Sequence, residues 1–169
     1  MKTTWYLLNV DIPCLRQVAC FTMPALNLYI NSNMHFEYDI EGSNFTKAGF
    51  ASSQFKKVLK QLNIDPKIIK RIVVALYEAE MNIVAHAYHG KITIQVEPEQ
   101  IVIFLSDEGP GIPDIEKAMQ IGFSTASPAV REMGFGAGMG LQNIQNNADN
   151  LKITSQVGIG TQVEITTYL

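Results

Sequence analysis

Residues 65–88 carry the longest helical pattern in the chain, and this helix restricts how the other elements can be arranged. Asp65 followed by Pro66 is a strong helix start, because Asp caps the first turn and the fixed backbone angle of Pro suits its first position. Residues 72–76 read IVVAL, so the helix is unusually apolar and has to be covered by other elements. We therefore predict a central buried helix that ends at about residue 88 and is stopped by Gly90.

The order of the remaining strand and helix patterns excludes a doubly wound fold. Alternating apolar residues mark the strands, and apolar residues three or four positions apart mark the helices. The predicted order is a strand at 35–40, helices at 45–62 and 65–88, strands at 91–97 and 101–106, helices at 114–120 and 141–150, and strands at 151–156 and 161–169, with irregular segments at 107–113 and 121–133. Consecutive strands form hairpins, so we predict an α+β two-layer α/β sandwich whose mixed, mainly antiparallel sheet is covered by helices on one face.

The charge of the chain argues against a nucleic-acid partner. Its 169 residues carry 13 Lys and Arg against 16 Asp and Glu, a formal net charge of −3, and the basic residues are scattered. Binding to nucleic acid through bulk electrostatics is therefore not expected. A chain of this length forms one domain with a sizeable core.

Residues 1–33 differ from the rest of the chain. They contain both cysteines, Cys14 and Cys20, and few charges. Neither of the two apolar patches reaches the roughly 18 residues that span a bilayer, and the segment is a poor secretory signal, so we expect no membrane association and a cytoplasmic location. Because Met34 opens the part with clear patterns, we predict a domain at 34–169 preceded by an over-called start or a poorly ordered extension. The alternative is an added element that packs on the domain or on a partner.

One face of the long helix is polar. Glu78, Asn82 and His86 stand four residues apart, which places them in one stripe with about 6 Å of rise between neighbours. A buried carboxylate or amide costs several kcal/mol unless it has a partner, so the stripe indicates a site. The alternative is the solvated face of an amphipathic helix. Glu80 and Lys70 lie off the stripe and are expected to be ordinary surface charges.

A second polar feature follows the strand at 101–106. Asp107, Gly109 and Gly111 alternate directly after it. A carboxylate beside two glycines suits a site where the backbone approaches a flat ligand closely and the carboxylate accepts a hydrogen bond from it. The alternative is a tight turn with an Asx-type hydrogen bond.

Four alternating glycines precede the predicted helix at 141–150. They are Gly134, Gly136, Gly138 and Gly140, and Leu141 starts the helix. Alternating glycines let successive backbone amides point at one anion, and the helix N-terminus adds its dipole. The segment lacks the Gly-Lys-Ser/Thr of a P-loop and the dinucleotide fingerprint after a strand. The pattern favours a phosphate loop over the alternative, a flexible linker.

Together these motifs resemble those of the gyrase/chaperone/histidine-kinase/mismatch-repair (GHKL) superfamily of ATPases, which has the Bergerat-type ATP-binding fold. The matching motifs are Glu78-x-x-x-Asn82, Asp107-x-Gly109-x-Gly111, Gly136-x-Gly138-x-Gly140-Leu141 and the pair Gly160-Thr161. The runs His86-Ala87-Tyr88 and Gly122-Phe123-Ser124-Thr125 are most similar to those of the bacterial anti-sigma-factor and switch serine/threonine kinases. The resemblance covers residues 34–169 and not the preceding segment.

The resemblance implies roles in binding ATP and Mg²⁺. Asn82 would hold Mg²⁺ against the phosphates, and Glu78 would be the general base toward the attacking hydroxyl. Asp107 would accept the adenine amino group, Thr161 would lie near the adenine, and the glycines after Asp107 would give room for the purine. The phosphate loop would consist of Gly134, Gly136, Gly138, Gly140 and Leu141.

Residues 121–133 would form the ATP lid. Ser124, Thr125 and Arg131 are weaker candidates for ligand contacts there. For Arg131, a contact with a phosphate or a partner and a solvated lid charge both stay open. His86 is expected to be a packed histidine and not a phosphoacceptor.

The function that the resemblance implies is that of an ATP-dependent serine/threonine protein kinase acting on a small antagonist protein of the anti-anti-sigma type. A sigma factor is a further candidate partner, and a homodimer is a candidate assembly, because related kinases are often dimers. Two alternatives remain open. One is an ATP-dependent regulatory binding module with little kinase activity, and the other is a detached histidine-kinase catalytic domain that acts in trans.

If residues 1–33 do not belong to the working domain, deleting them leaves the fold and the affinity for ATP intact. The measurement compares thermal unfolding and ATP binding for the full chain and for residues 34–169 alone. A large loss of either property would show that the segment is part of the domain.

Overall fold

The computed structural model describes residues 34–169, and the prediction for residues 1–33 lies outside them. The strands are β1 (Met34–Glu41), β2 (His89–Val96), β3 (Gln100–Glu108), β4 (Asn150–Gln156) and β5 (Gly160–Tyr168). The helices are α1 (Phe50–Gln61), α2 (Pro66–His86), α3 (Ile115–Ala118), α4 (Pro128–Glu132) and α5 (Gly140–Asn147), and a 3-10 turn covers Phe45–Lys47. None of the helices in this described part has the length and apolar character that crossing a bilayer requires.

A five-stranded sheet forms one layer, in the order β1-β2-β3-β5-β4. All four pairs of neighbouring strands within residues 34–169 are antiparallel. The predicted α+β sandwich is therefore confirmed, although the sheet is wholly antiparallel here and not mixed. β3 and β5 are neighbours although residues 109–159 separate them in sequence, so their pairing brings the two ends of this long segment together. Residues 109–159 supply most of the candidate site residues.

Helices cover one face of the sheet. The side chains of β2 that point to this face are almost fully buried, and so are their partners across the ladder to β3. These pairs are Ile92 with Leu105, Ile94 with Ile103 and Val96 with Ile101. From the helices, Phe55 of α1 and Ile72 and Leu76 of α2 are fully buried in the same cluster. Burying each such side chain stabilises the fold by about 1.5–3 kcal/mol, and the predicted central buried helix is confirmed as α2.

The helix predicted at 45–62 is divided in the structure. The 3-10 turn occupies Phe45–Lys47, and α1 begins only at Phe50. Gly49 between them has φ +81, which is left-handed backbone that cannot continue a right-handed helix. The spacing of the apolar residues gives no sign of this break.

The end of the long helix also differs from its prediction. α2 ends at His86, and β2 already begins at His89, so Gly90 lies inside a strand and does not stop the helix. A Cβ on Gly90 would lie 3.0 Å from the Ile83 side chain of α2. Glycine is therefore placed where the helix end packs closely on the sheet.

Two segments expected to be irregular contain regular structure. β3 continues through Asp107 and Glu108, because β2 pairs with both through Gly90 and His89. The segment at 121–133 contains the short helix α4. Its amides find local partners, as in the hydrogen bond from the Arg131 amide to the Ser127 carbonyl at 3.1 Å.

Glu80 is not the surface charge that its position off the stripe predicts, since only 1% of its surface is exposed. Its Oε1 accepts a hydrogen bond from the Ala51 amide and its Oε2 one from the Ser52 amide, both at 3.1 Å. These amides belong to the first turn of α1, whose N-cap residue Gly49 has no side chain to cap the helix. Glu80 therefore supplies the cap from α2, and the dipole of α1 favours its charge.

Glu80→Gln removes this charge and turns an amide donor toward one of the two backbone donors. We expect the free energy of unfolding to fall by about 1–3 kcal/mol. Chemical denaturation followed by circular dichroism measures the loss, with Glu99→Gln, a change at an exposed carboxylate, as the matched control. Equal stability of the two variants would contradict the capping role. A second readout is the pKa of Tyr38, which burial and then the Glu80 charge raise to about 12, and which falls when the charge is removed.

Candidate functional site

The polar stripe on α2 faces the start of α5. Glu78 and Asn82 are half-buried and lie one helical turn apart. A Cβ on Gly140, the first residue of α5, would lie 3.0 Å from Asn82 Oδ1 and 3.5 Å from Glu78 Oε2. The stripe thus lies between two helices, which excludes the alternative of a fully solvated face. His86, the third member, is partly buried, and burial lowers its pKa, so the neutral imidazole is favoured.

Near the C-terminal end of α2, three adjacent strands bring polar groups together. Asp107 Oδ1 of β3 accepts a hydrogen bond from the Thr161 amide of β5 at 3.0 Å. The Thr161 hydroxyl oxygen lies 2.9 Å from Ser155 Oγ of β4. Burial raises the pKa of Asp107, and the Thr161 amide offsets part of that rise. The Asp107 side chain bonds across the sheet and not within its own turn, so the Asx-turn alternative does not describe it.

The two glycines after Asp107 stand at close approaches of the backbone. A Cβ on Gly109 would lie 3.0 Å from Ala87 Cα, at the end of α2. A Cβ on Gly111 would overlap the Gln156 carbonyl of β4. The loop therefore lies tightly between α2 and the sheet edge, and these two glycines are needed for packing of protein against protein.

The alternating glycines hold the base of the lid together. The Gly122 amide donates to the Gly138 carbonyl at 2.9 Å. Gly138 has φ +74, and a Cβ on it would overlap the Gly122 backbone, so both angle and space restrict this position to glycine. Gly136 packs against the lid, with its Cβ position 3.3 Å from Ser124 Oγ. Gly134 has a different role, because its amide bonds to the Arg131 carbonyl at 2.9 Å where α4 ends.

A cavity of about 310 Å³ lies between the lid and the glycine loop. It is lined by Gly122, Ser124, Arg131 and residues 134–137. Arg131 Nη2 donates to the Ser124 carbonyl at 2.9 Å, which holds this cation in the lid although the side chain is exposed. Thr125 is exposed as well.

The candidate residues gather in two groups. Glu78 and Asn82 meet Gly140, and Asp107 meets Thr161. Leu141 is partly buried and packs against the hydrophobic core.

Two further residues belong to the site without having been anticipated from the sequence. Ser155 Oγ accepts the Ile112 amide at 2.7 Å and contacts the Thr161 hydroxyl. Asn143 Nδ2 of α5 donates to Glu78 Oε1 at 2.8 Å. Helical spacing from Gly140 could have placed Asn143 on the face that meets α2. Ser155 carries no comparable signal, since it is a single hydroxyl in a strand.

The surroundings of Asn82 fit Mg²⁺ bound together with a phosphate. Mg²⁺ keeps several waters and takes one or two protein oxygens when phosphates supply the others. Asn82 Oδ1 offers such an oxygen beside the space that Gly140 leaves open, at the N-terminus of α5, where amides and the helix dipole attract anions. Residues 34–169 contain no group of three His, Cys, Asp or Glu side chains that would bind a metal alone.

Comparison with known proteins identifies related sequences. The family model described as histidine kinase-like ATPase domain matches residues 46–167, which is more than half of the chain. The anti-sigma F factor of Caldanaerobacter subterraneus is 41% identical over 113 residues, which cover 63% of this chain and 76% of that protein. The anti-sigma F factor of Bacillus subtilis is 30% identical over 146 residues, covering 83% and 94%. The serine/threonine-protein kinase RsbT of Bacillus subtilis is 32% identical over 118 residues, covering 68% and 83%.

A solved structure supports the fold. One chain in the crystal structure of the SiaB–SiaC complex from Pseudomonas aeruginosa matches with a TM-score of 0.50. The match covers 89% of this chain and 100% of that chain at 10% identity. At this identity the likeness concerns the fold alone.

Gly140→Ala is expected to change the affinity for Mg·ATP without a comparable change in the stability of the fold. Gly140 is not among the glycines with positive φ, so alanine can adopt its backbone conformation, and we expect the free energy of unfolding to change by less than about 1 kcal/mol. The new methyl group would crowd Asn82 Oδ1, so affinity for Mg·ATP should fall by about tenfold, or 1.4 kcal/mol. Titration with a fluorescent ATP analogue, with and without Mg²⁺, measures the loss, and the exposed change Gln145→Ala is the control. Unchanged affinity would show that Gly140 lies away from the bound phosphates.

Proposed function

The chain belongs to the histidine kinase-like ATPase family, and we propose that it is a serine/threonine protein kinase of the switch type that uses Mg·ATP to phosphorylate a small antagonist protein. Relatives named anti-sigma F factor and serine/threonine-protein kinase support this function. The observation that carries it is the pairing of Glu78 and Asn82 one turn apart, both next to the first residue of α5. A carboxylate and an amide oxygen at a helix N-terminus are suited to a base and a metal-bound phosphate.

Glu78 is the proposed general base. The acceptor hydroxyl oxygen forms a bond to the γ-phosphorus of ATP while the bond from that phosphorus to the β,γ-bridging oxygen breaks, and ADP leaves. The Glu78 carboxylate takes the hydroxyl proton. Bound Mg²⁺ would neutralise charge on the phosphates. The Asn82 amide oxygen would hold that cation, and the α5 amides favour the negative charge of the phosphates.

Asp107 is the proposed acceptor for the adenine amino group. Its Oδ1 is fixed by the Thr161 amide, so the carboxylate has one orientation. It is half-buried, and a hydrogen bond from a ligand is stronger where water is partly excluded. The close backbone contacts of Gly109 and Gly111 hold the loop that follows this carboxylate against α2 and β4.

The partner assignments go further. The phosphoacceptor is proposed to be an anti-anti-sigma-like protein, in line with the relatives named anti-sigma F factor. A sigma factor as a second partner and a homodimer follow from the resemblance and stay predictions. The cytoplasmic location, expected from the poor secretory signal and the cysteine usage, also stays a prediction. In the lid, Arg131 is a candidate for contact with a phosphate or with the partner.

A labelling experiment tests the kinase function. The full chain is incubated with [γ-³²P]ATP, Mg²⁺ and purified proteins encoded by neighbouring genes, with and without Glu78→Gln. We expect acid-stable label on a Ser or Thr of one partner, and a rate at least about a hundredfold lower in Glu78→Gln because the base is lost. Glu99→Gln, at an exposed carboxylate, should label the partner at the wild-type rate.

Other outcomes distinguish the alternatives. Acid-labile label on a partner His would favour a histidine-kinase domain acting in trans. ATP binding without label on any partner would favour a regulatory binding module. If ATP does not bind at all, the site assignment is wrong.

A further inference from the structure

The face of α5 that meets α2 is built from residues three and four positions apart. Gly140, Asn143 and Ile144 lie on it. Ile144 is fully buried in the hydrophobic core, which fixes the rotation of α5 about its own axis. With α5 fixed in this way, the Asn143 side chain is directed at α2.

Asn143 is bonded to two parts of the site. Its Nδ2 donates to Glu78 Oε1 at 2.8 Å. A carboxylate oxygen only accepts hydrogen bonds, so the amide nitrogen and not the amide oxygen faces Glu78. Its backbone amide donates to the Met139 carbonyl at 2.8 Å, and Met139 lies between two glycines of the phosphate loop. One residue therefore links the loop to the carboxylate.

The two oxygens of Glu78 have different surroundings. Oε1 is occupied by the Asn143 amide. Oε2 lies on the side of Gly140, 3.5 Å from the position that a Cβ would take there, and Asn82 Oδ1 lies 3.0 Å from the same position. The side that carries Oε2 is thus the side where a metal-bound phosphate would lie.

We propose that Asn143 is a positioning residue that fixes the rotation of the Glu78 carboxylate, with Oε1 held and Oε2 free to act as the base. This inference rests on the proposed kinase function. In the transfer step Oε2 takes the proton of the acceptor hydroxyl, whose oxygen bonds to the γ-phosphorus as ADP leaves. Since Asn143 also holds the loop backbone, the carboxylate is oriented only while α5 is docked on α2.

Asn143→Ala removes the amide donor and keeps the helix backbone. We expect kcat to fall by about tenfold to a hundredfold, because a misplaced reacting group costs this much. KM for ATP should stay unchanged, and the loss of one half-buried hydrogen bond should lower the thermal midpoint by only about 2–4 °C. The probe is Mg·[γ-³²P]ATP with the partner found by labelling, or with water as acceptor if none is labelled. Asn146→Ala is the matched control, since this residue is of the same type and exposed on the same helix.

A double variant tests whether Asn143 acts through Glu78. The residual rate of Glu78→Gln should be the same with and without Asn143→Ala, because the carboxylate to be oriented is already gone. A merely structural role would lower the rate by the same factor in both backgrounds. Asn143→Asp keeps the side-chain shape but sets a second carboxylate against Glu78, so its kcat should fall at least as far as that of the alanine variant.

The outcomes separate this inference from the function on which it rests. Wild-type kcat in Asn143→Ala, with Glu78→Gln impaired, would overturn the positioning role and leave the kinase function in place. An unimpaired Glu78→Gln, or no transfer by the wild type to either acceptor, would overturn the proposed function itself. A loss of ATP affinity as large as the loss of rate would also refute the positioning role.

Discussion

The helix α2 is packed between the sheet, α1 and α5, and yet it carries two carboxylates on the sides that those helices cover. A carboxylate removed from water needs hydrogen-bond donors close by. Glu80 finds them in the first-turn amides of α1, and Glu78 finds one in the Asn143 side chain of α5. The two carboxylates of α2 thereby help to fix the positions of α1 and α5. Hydrogen bonds do this more specifically than apolar packing, because they require particular partners. Placement of the candidate base follows from the same contacts that hold the fold.

The antiparallel pairing of β3 with β5 constrains the other half of the site. Ser155 Oγ accepts the Ile112 amide and donates its proton to the Gly160 carbonyl, as the hydrogen-bond network assigns it. The Thr161 hydroxyl then has to donate its own proton to Ser155. The Thr161 hydroxyl oxygen and the second oxygen of the Asp107 carboxylate are then left as acceptors. A ligand edge with a donor group, such as the amino group of adenine, matches that arrangement.

Local patterns predicted the fold well, and long-range partners explain where they failed. The alternating strands and the apolar run of α2 are properties of neighbouring residues, so the sandwich and the central helix were readable. Glu80 was misread as a surface charge because its partners lie 28 and 29 residues earlier in the chain. The same holds for Asn143, whose partner Glu78 is 65 residues away. The motif residues were identified by their spacing, but the groups that orient them depend on tertiary contacts.

A net charge of −3 does not attract an anionic polyphosphate over long range, so such a ligand has to be bound by groups close to it. At physiological salt, charges more than about 8 Å apart in water are largely screened, so the distant acidic residues matter little at the candidate phosphate site. There the groups proposed to favour a phosphate are the α5 N-terminus, the amides of the glycine loop and a cation held by Asn82, with Arg131 of the lid as a further candidate. Backbone amides attract an anion only in a set geometry, unlike a flexible lysine. Because the Gly122 amide donates to the Gly138 carbonyl, the base of the lid is joined to the glycine loop, and a ligand that orders the loop would also restrain the lid.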